Sequence, residues 1–212
     1  MLATALLVLS QTAMPSQTLV VTGENPAVEL ANCIERKCPA EQEIELSLRV
    51  SVEDFADGRY RNARATRQRS IRRNEDQVSR LPRQVSSLHA TLATAAEHKG
   101  DTGLWLESFR KNVTILREYI GEIHPETLAQ KLALADNLLK QHQFGSADSH
   151  CESVQFDAIQ SGLLQLATAA LFRRAWLSFM QNKDTEARQL AIEQSPWSTV
   201  IVRQSKWRQY SP

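Results

Sequence analysis

Asp57-Gly58-Arg59-Tyr60-Arg61-Asn62-Ala63 and Gln141-His142-Gln143-Phe144-Gly145-Ser146-Ala147 are the two stretches that decide the fold. Their aromatics, Tyr60 and Phe144, stand 84 residues apart, and so do Ala63 and Ala147. Gly100 lies midway, so Gly58, Gly100 and His142 follow one another at 42-residue steps. A turn residue, an aromatic and then a small residue mark the entry into the second helix of a helical hairpin. Glycine takes the left-handed backbone that closes the first helix, and a small side chain lets the two helices approach. Recurrence at a fixed step predicts a stack of such hairpins, each resting on its neighbours.

The composition agrees. The chain has 212 residues, 42% hydrophobic and 23% charged, enough for one domain with a real core. Only seven Gly and seven Pro interrupt a sequence rich in Ala, Leu, Gln, Arg and Glu, which favours helices. The net charge of +1 argues against a general binder of nucleic acid or membrane surfaces. No apolar run reaches the roughly 20 residues of a membrane span.

Helical spacing and punctuation place the elements. Glu41–Phe55 carries Ile44, Leu46, Leu48, Val50 and Val52; their alternation also fits a strand, but the Asp57-Gly58 turn and the helical phrase after it favour a helix. A helix over 60–74 follows. Pro82 opens the next, and Lys99-Gly100-Asp101 turns into a helix over 103–120, where Trp105 fills the slot of Ala63 and Ala147. Gly121 ends it. His124-Pro125-Glu126 starts the third pair, with Leu128, Leu132, Ala135, Leu138 and Leu139 as its stripe. A fourth pair is expected over 158–181 and 184–194, turning at Asn182-Lys183-Asp184, with Ala187 in the small-residue slot.

These residues resemble the tetratricopeptide repeat in its longer-period form, as in kinesin light chains. Gly58, Tyr60 and Ala63 carry the likeness in the first hairpin; His124-Pro125-Glu126-Thr127, Leu134-Ala135, Phe144 and Ala147 carry it in the third. The resemblance implies an all-α, right-handed α-solenoid of about four hairpins over residues 40–195, with a concave groove. It implies no enzyme activity, no cofactor and no fixed ligand. The layout also resembles exported bacterial repeat proteins.

The ends differ from the body. Leu2–Leu9 is an apolar run followed by Ser10-Gln11-Thr12-Ala13, so residues 1–13 read as a signal peptide, although no Lys or Arg precedes the run. Residues 14–39 read as a tether, extended or disordered up to residue 31. It carries Cys33 and Cys38, a candidate disulfide that an oxidising compartment would close. An exported, periplasmic location is the expectation, a cytoplasmic one the alternative. Residues 196–212 form an irregular tail containing Trp197, Trp207 and a β-prone Thr199–Val202 run.

Catalytic constellations are missing from the sequence. There is no His-Glu-x-x-His, no phosphate-cradling glycine loop and no nucleophile elbow. His142 and His150 are separated by a turn and are expected to be solvated rather than to share a metal. Asp136 and Asp148 read as solvated or capping acids, Cys151 as a small core residue, and the Asn112-Val113-Thr114 sequon as incidental within a helix. No metal site is expected.

The Arg run is the most functional-looking local feature. Nine Arg crowd residues 59–83 against Glu75 and Asp76. The simpler reading is a solvated face salt-bridged to acids of neighbouring helices. The sharper one is a patch, Arg61, Arg64, Arg72 and Arg73, for an acidic peptide, because guanidinium forks suit carboxylates. Nucleic acid is a poor fit, since stacking aromatics are sparse there. The sequence therefore predicts a non-enzymatic scaffold that binds a protein or peptide. The alternative is an assembly protein that self-associates through its terminal hairpins and Trp-containing tail; no oligomeric state follows from the sequence.

Overall fold

The computed structural model describes residues 25–193. Among these residues nine α-helices follow in order: α1 (Pro26–Glu35), α2 (Ala40–Ala56), α3 (Tyr60–Asn74), α4 (Pro82–Glu97), α5 (Thr102–Tyr119), α6 (Pro125–Lys140), α7 (Phe144–Gln160), α8 (Leu164–Met180) and α9 (Asp184–Glu193). Among the described residues a single 3-10 turn occupies Glu75–Gln77. No strand occurs among the described residues. The alternating Ile44–Val52 stretch is helical, with Ile44, Leu46, Ser47 and Val50 buried and Glu45, Arg49 and Val52 exposed. The signal-peptide reading and the tail, Trp197 and Trp207 included, lie outside the described residues.

One expectation is corrected at the N-terminus. The stretch read as a tether contains α1. Asn25 accepts a hydrogen bond from the Ala27 amide at 2.9 Å, Pro26 sits in the first turn, and Glu29 meets the positive end of the helix dipole. Leu30 and Cys33 are buried against Leu46 and Val50 of α2. This short helix buries too few residues to show a clear periodic stripe in the sequence, and its stability comes from docking. The fourth pair is also shifted. α7 continues to Gln160, and Gly162 makes the turn before α8, so the pair begins at Leu164 rather than 158.

The 42-residue step has a finer origin. Left-handed backbone occurs at Lys37, Gly58, Gly100, Gly121, His142, Gly162 and Asn182, each closing a helix. Neighbours in that series are 21 residues apart, then 20 at the last two steps, except between Gly58 and Gly100. There the link from α3 to α4 runs through the 3-10 turn instead. The unit is thus one helix plus one turn, and two units make a hairpin. After each such turn the chain re-enters a helix, and the residue five places on is buried at Ala63, Trp105, Ala147 and Ala167.

Each helix packs on the next in sequence, and the first helices of two neighbouring hairpin pairs also touch, α2 with α4 and α6 with α8. The main core cluster runs through α6, α7 and α8 around Leu128, Leu132, Leu138, Val154 and Leu177. A second, around Ile44, Val85, Leu88 and Ile115, ties α2 to α4 and α5. Between α4 and α6 the link is polar. Arg83 Nε donates to Glu126 at 2.8 Å near one end, and Lys140 Nζ to Glu97 at 2.7 Å near the other, each across 43 residues. Arg173 of α8 grips Asp136 of α6 with two hydrogen bonds of 2.7 and 2.8 Å. These pairs fix the stacking register more than they stabilise the fold, because exposed ion pairs contribute little.

Candidate functional site

The helix α3 places the Arg run, and the structure sorts its members by what they touch. Arg67 is buried; its guanidinium donates to Ser51 Oγ at 3.0 Å and to the Thr91 carbonyl at 2.8 Å, and lies 5.9 Å from the Phe55 ring centroid. It joins α2, α3 and α4, and burial pulls its pKa down to about 10. Arg73 donates to Glu43 Oε1 at 2.7 and 2.9 Å, and Ser70 Oγ donates to the same oxygen. Arg64 donates to Asp101 at 2.8 Å, tying α3 to the start of α5. Arg59 pairs with Asp54 and Asp57, and Arg83 with Glu126. Of the four Arg expected in the patch, Arg64 and Arg73 thus serve the fold. Arg61 and Arg72 are exposed and have no carboxylate partner among the described residues.

Arg72 has company that the sequence did not reveal. α3 and α5 do not pack on each other; both lean on α4, leaving a groove of about 530 Å³ between them. Its floor is Ile71, Leu92, Leu104 and His89. Arg72 stands on one wall, Arg110 and Lys111 on the other, with Glu75 and Glu107 beside them. Arg110 and Lys111, like Arg72, form no ion pair among the described residues. His89 is held neutral, its pKa lowered to about 4 by burial and then by Lys111. Arg110 and Lys111 lie in an ordinary helix, 38 and 39 residues beyond Arg72. Only the groove, which depends on how the hairpins stack, brings the three together.

Other sequence candidates fall into structural places. Gly58 and Gly100 have left-handed backbone at the hairpin turns, and His142 adopts it with φ 56°. Tyr60 packs edge-on to Phe55 and is stacked with His98, so the aromatic mark joins one hairpin to the next. Phe144 meets His142 edge-on, and Ala147 is fully buried. Cys33 and Cys38 are joined by a disulfide with Cα atoms 5.1 Å apart, which closes the turn between α1 and α2. Cys151 is buried, and burial pushes its thiol up to about 12, which leaves it unreactive. Asp136 and Asp148 are bound by Arg173 and Arg174. Among the described residues no cluster of three His, Cys, Asp or Glu could hold a metal. No described helix is long and apolar enough to cross a membrane.

The sequence matches no family model and no curated protein. Solved structures do match the architecture. The kinesin light chain TPR-like repeats of Podosopora anserina superpose with a TM-score of 0.64 at 21% identity, covering 88% of this chain and 86% of that one. A variant of the same protein gives 0.65 at 18% identity, covering 84% and 85%. BtubC (BKLC) from P. vanneervenii gives 0.61 at 12% identity, covering 81% and 73%. At these identities the likeness is one of fold, and the chain is an all-α solenoid of TPR-like repeats.

Proposed function

We propose that the protein is a non-catalytic scaffold whose α3–α5 groove takes an acidic, partly apolar peptide segment of another protein. The observation that carries this reading is the convergence of Arg72, Arg110 and Lys111, all without ion-pair partners among the described residues, over the floor of Ile71, Leu92 and Leu104. A carboxylate between the two walls would meet guanidinium on both sides, and an adjacent Leu or Phe would bury itself on the floor. Glu75 and Glu107 would reject strongly acidic tracts lacking an apolar anchor and favour segments in which charge is interrupted.

We also propose that the protein works outside the reducing cytoplasm, a reading supported by the Cys33–Cys38 bond. The test of binding is fluorescence anisotropy with a labelled peptide alternating Asp/Glu with Leu/Phe, at low and high salt. Binding that weakens with salt and is lost in Arg72→Glu and Arg110→Glu supports the groove. Equal binding by a scrambled neutral peptide would refute it.

A further inference from the structure

We infer that the open face of α8 and α9 is the interface of a tail-to-tail dimer of this chain. It is a separate surface from the α3–α5 groove and stands whatever that groove binds. Equivalent positions in successive hairpins differ in what covers them. Ten, seven and three residues before His142 stand Leu132, Ala135 and Leu139. They are buried or half-buried in a cluster that includes Ala170 and Leu177 of the next hairpin. The same offsets before Asn182 give Phe172, Ala175 and Phe179. Phe172 is 59% exposed and Phe179 55% exposed. Six residues before the turn, α6 has Asp136, which the following hairpin grips through Arg173. α8 has Trp176, 47% exposed. Among the described residues the surface that elsewhere receives the next hairpin is thus left open, and Phe172, Trp176 and Phe179 are larger and more aromatic than the covered Leu132, Asp136 and Leu139.

The patch is not scattered. Eight of the thirteen exposed large hydrophobics among the described residues fall between Phe156 and Ile192. Phe172, Trp176 and Phe179 line one groove of about 440 Å³ with Ala175 and Ala187. A monomer rarely leaves such an aromatic cluster in water without a use for it.

The rim decides which partner fits. Asp184 and Arg188 flank the groove one helical turn apart on α9, and neither has an ion pair among the described residues. A two-fold contact brings a surface against its own copy. Asp184 of one protomer would then face Arg188 of the other, twice over, with the aromatics of both α8 helices enclosed between the pairs. A rim carrying one acid and one base is self-complementary, whereas a purely acidic or basic rim would repel its copy.

Size-exclusion chromatography with light scattering on the full chain, over about a hundredfold range of concentration, tests this. A concentration-dependent dimer is expected. Trp176→Glu should convert it to monomer, and Val52→Glu, on an exposed site of α2, should leave it unchanged. Because Trp176 is exposed, the variant should keep its helical circular dichroism; Phe172→Ser gives a second, independent disruption. Asp184→Arg should weaken the dimer, and Asp184→Arg with Arg188→Asp should restore it, since the exchanged charges face each other again. A full chain that is monomeric throughout overturns the proposal. A chain cut after Glu193 that dimerises while the full chain does not assigns the face to residues 194–212 and also overturns it. A dimer indifferent to Trp176→Glu and Phe172→Ser overturns it as well.

Discussion

Trp105 of α5 shares a buried cluster with Ala96 of α4, whereas the third hairpin sets small Ala147 of α7 in one cluster with large Leu138 of α6. The two pairs occupy the same places relative to their turns, with bulk and void exchanged between the helices. The exchange keeps one large and one small side chain at each contact, the pairing that lets facing helices interlock. Trp105→Ala should therefore cost about 3–5 kcal/mol, as loss of a buried aromatic does. Adding Ala96→Leu to it should recover part of the loss, because leucine then fills the space as Leu138 does. Chemical denaturation of the two single variants and the double variant measures the coupling. Strict additivity would show that the two residues do not share one space.

Gly58 has φ 74°, and a Cβ added there would meet nothing within 4 Å. Its replacement by alanine thus carries backbone strain alone. Gly58→Ala should lower stability by about 1–2 kcal/mol. His142 has φ 56° in the equivalent turn and bears the strain already. His142→Gly should raise stability by about 0.5 kcal/mol, the relief of strain exceeding the extra freedom of glycine in the unfolded chain and the lost contact with Phe144. Paired urea titrations compare the two turns, and opposite signs are the expected result.

How much of this was legible in the sequence follows from distance along the chain. The sequence delimits helix α3 at Tyr60 and Asn74, because its turn and its spacing are local. The solenoid followed from the repeated turn phrase, even where Trp105 disturbed it. The fate of each Arg was not legible. The partners of Arg67, Arg73 and Arg64 lie 16 to 37 residues away, and which Arg meets an acid depends on the angle at which hairpins stack. The α3–α5 groove was hidden for the same reason. Arg110 and Lys111 follow no motif and become informative only when α5 stands opposite Arg72.

His89 supplies a pH dependence. Its pKa is lowered from 6.5 to about 4 in the folded chain, first by burial and then by Lys111. The unfolded chain therefore takes up the proton first. The contribution of His89 is complete above about pH 6.5 and is lost as the pH falls toward 4, by at most about 3 kcal/mol. His150 is shifted in the same direction, by burial and then by Lys131 and Arg110. Stability measured between pH 7 and 4 should fall less in His89→Gln than in the parent. Equal slopes would mean that His89 is as open to protons in the folded chain as in the unfolded one.

Cysteine chemistry separates the three thiols. Cys33 and Cys38 close a short loop that ties α1 to α2, and Cys151 is buried in the main core cluster. Without reductant, a thiol reagent should find none in the folded protein and one after denaturation; with reductant and denaturant together, it should find three. The bond constrains the unfolded chain over only a few residues, for which the loop-entropy estimate is about 2 kcal/mol. Cys33→Ser with Cys38→Ser should release α1 before the rest, because α1 is docked on α2 through little more than Leu30, Leu46 and Val50. Amide exchange should then quicken across Pro26–Glu35 while α6, α7 and α8 keep their protection. Uniform quickening along the whole chain would instead make α1 part of one cooperative unit with the repeats.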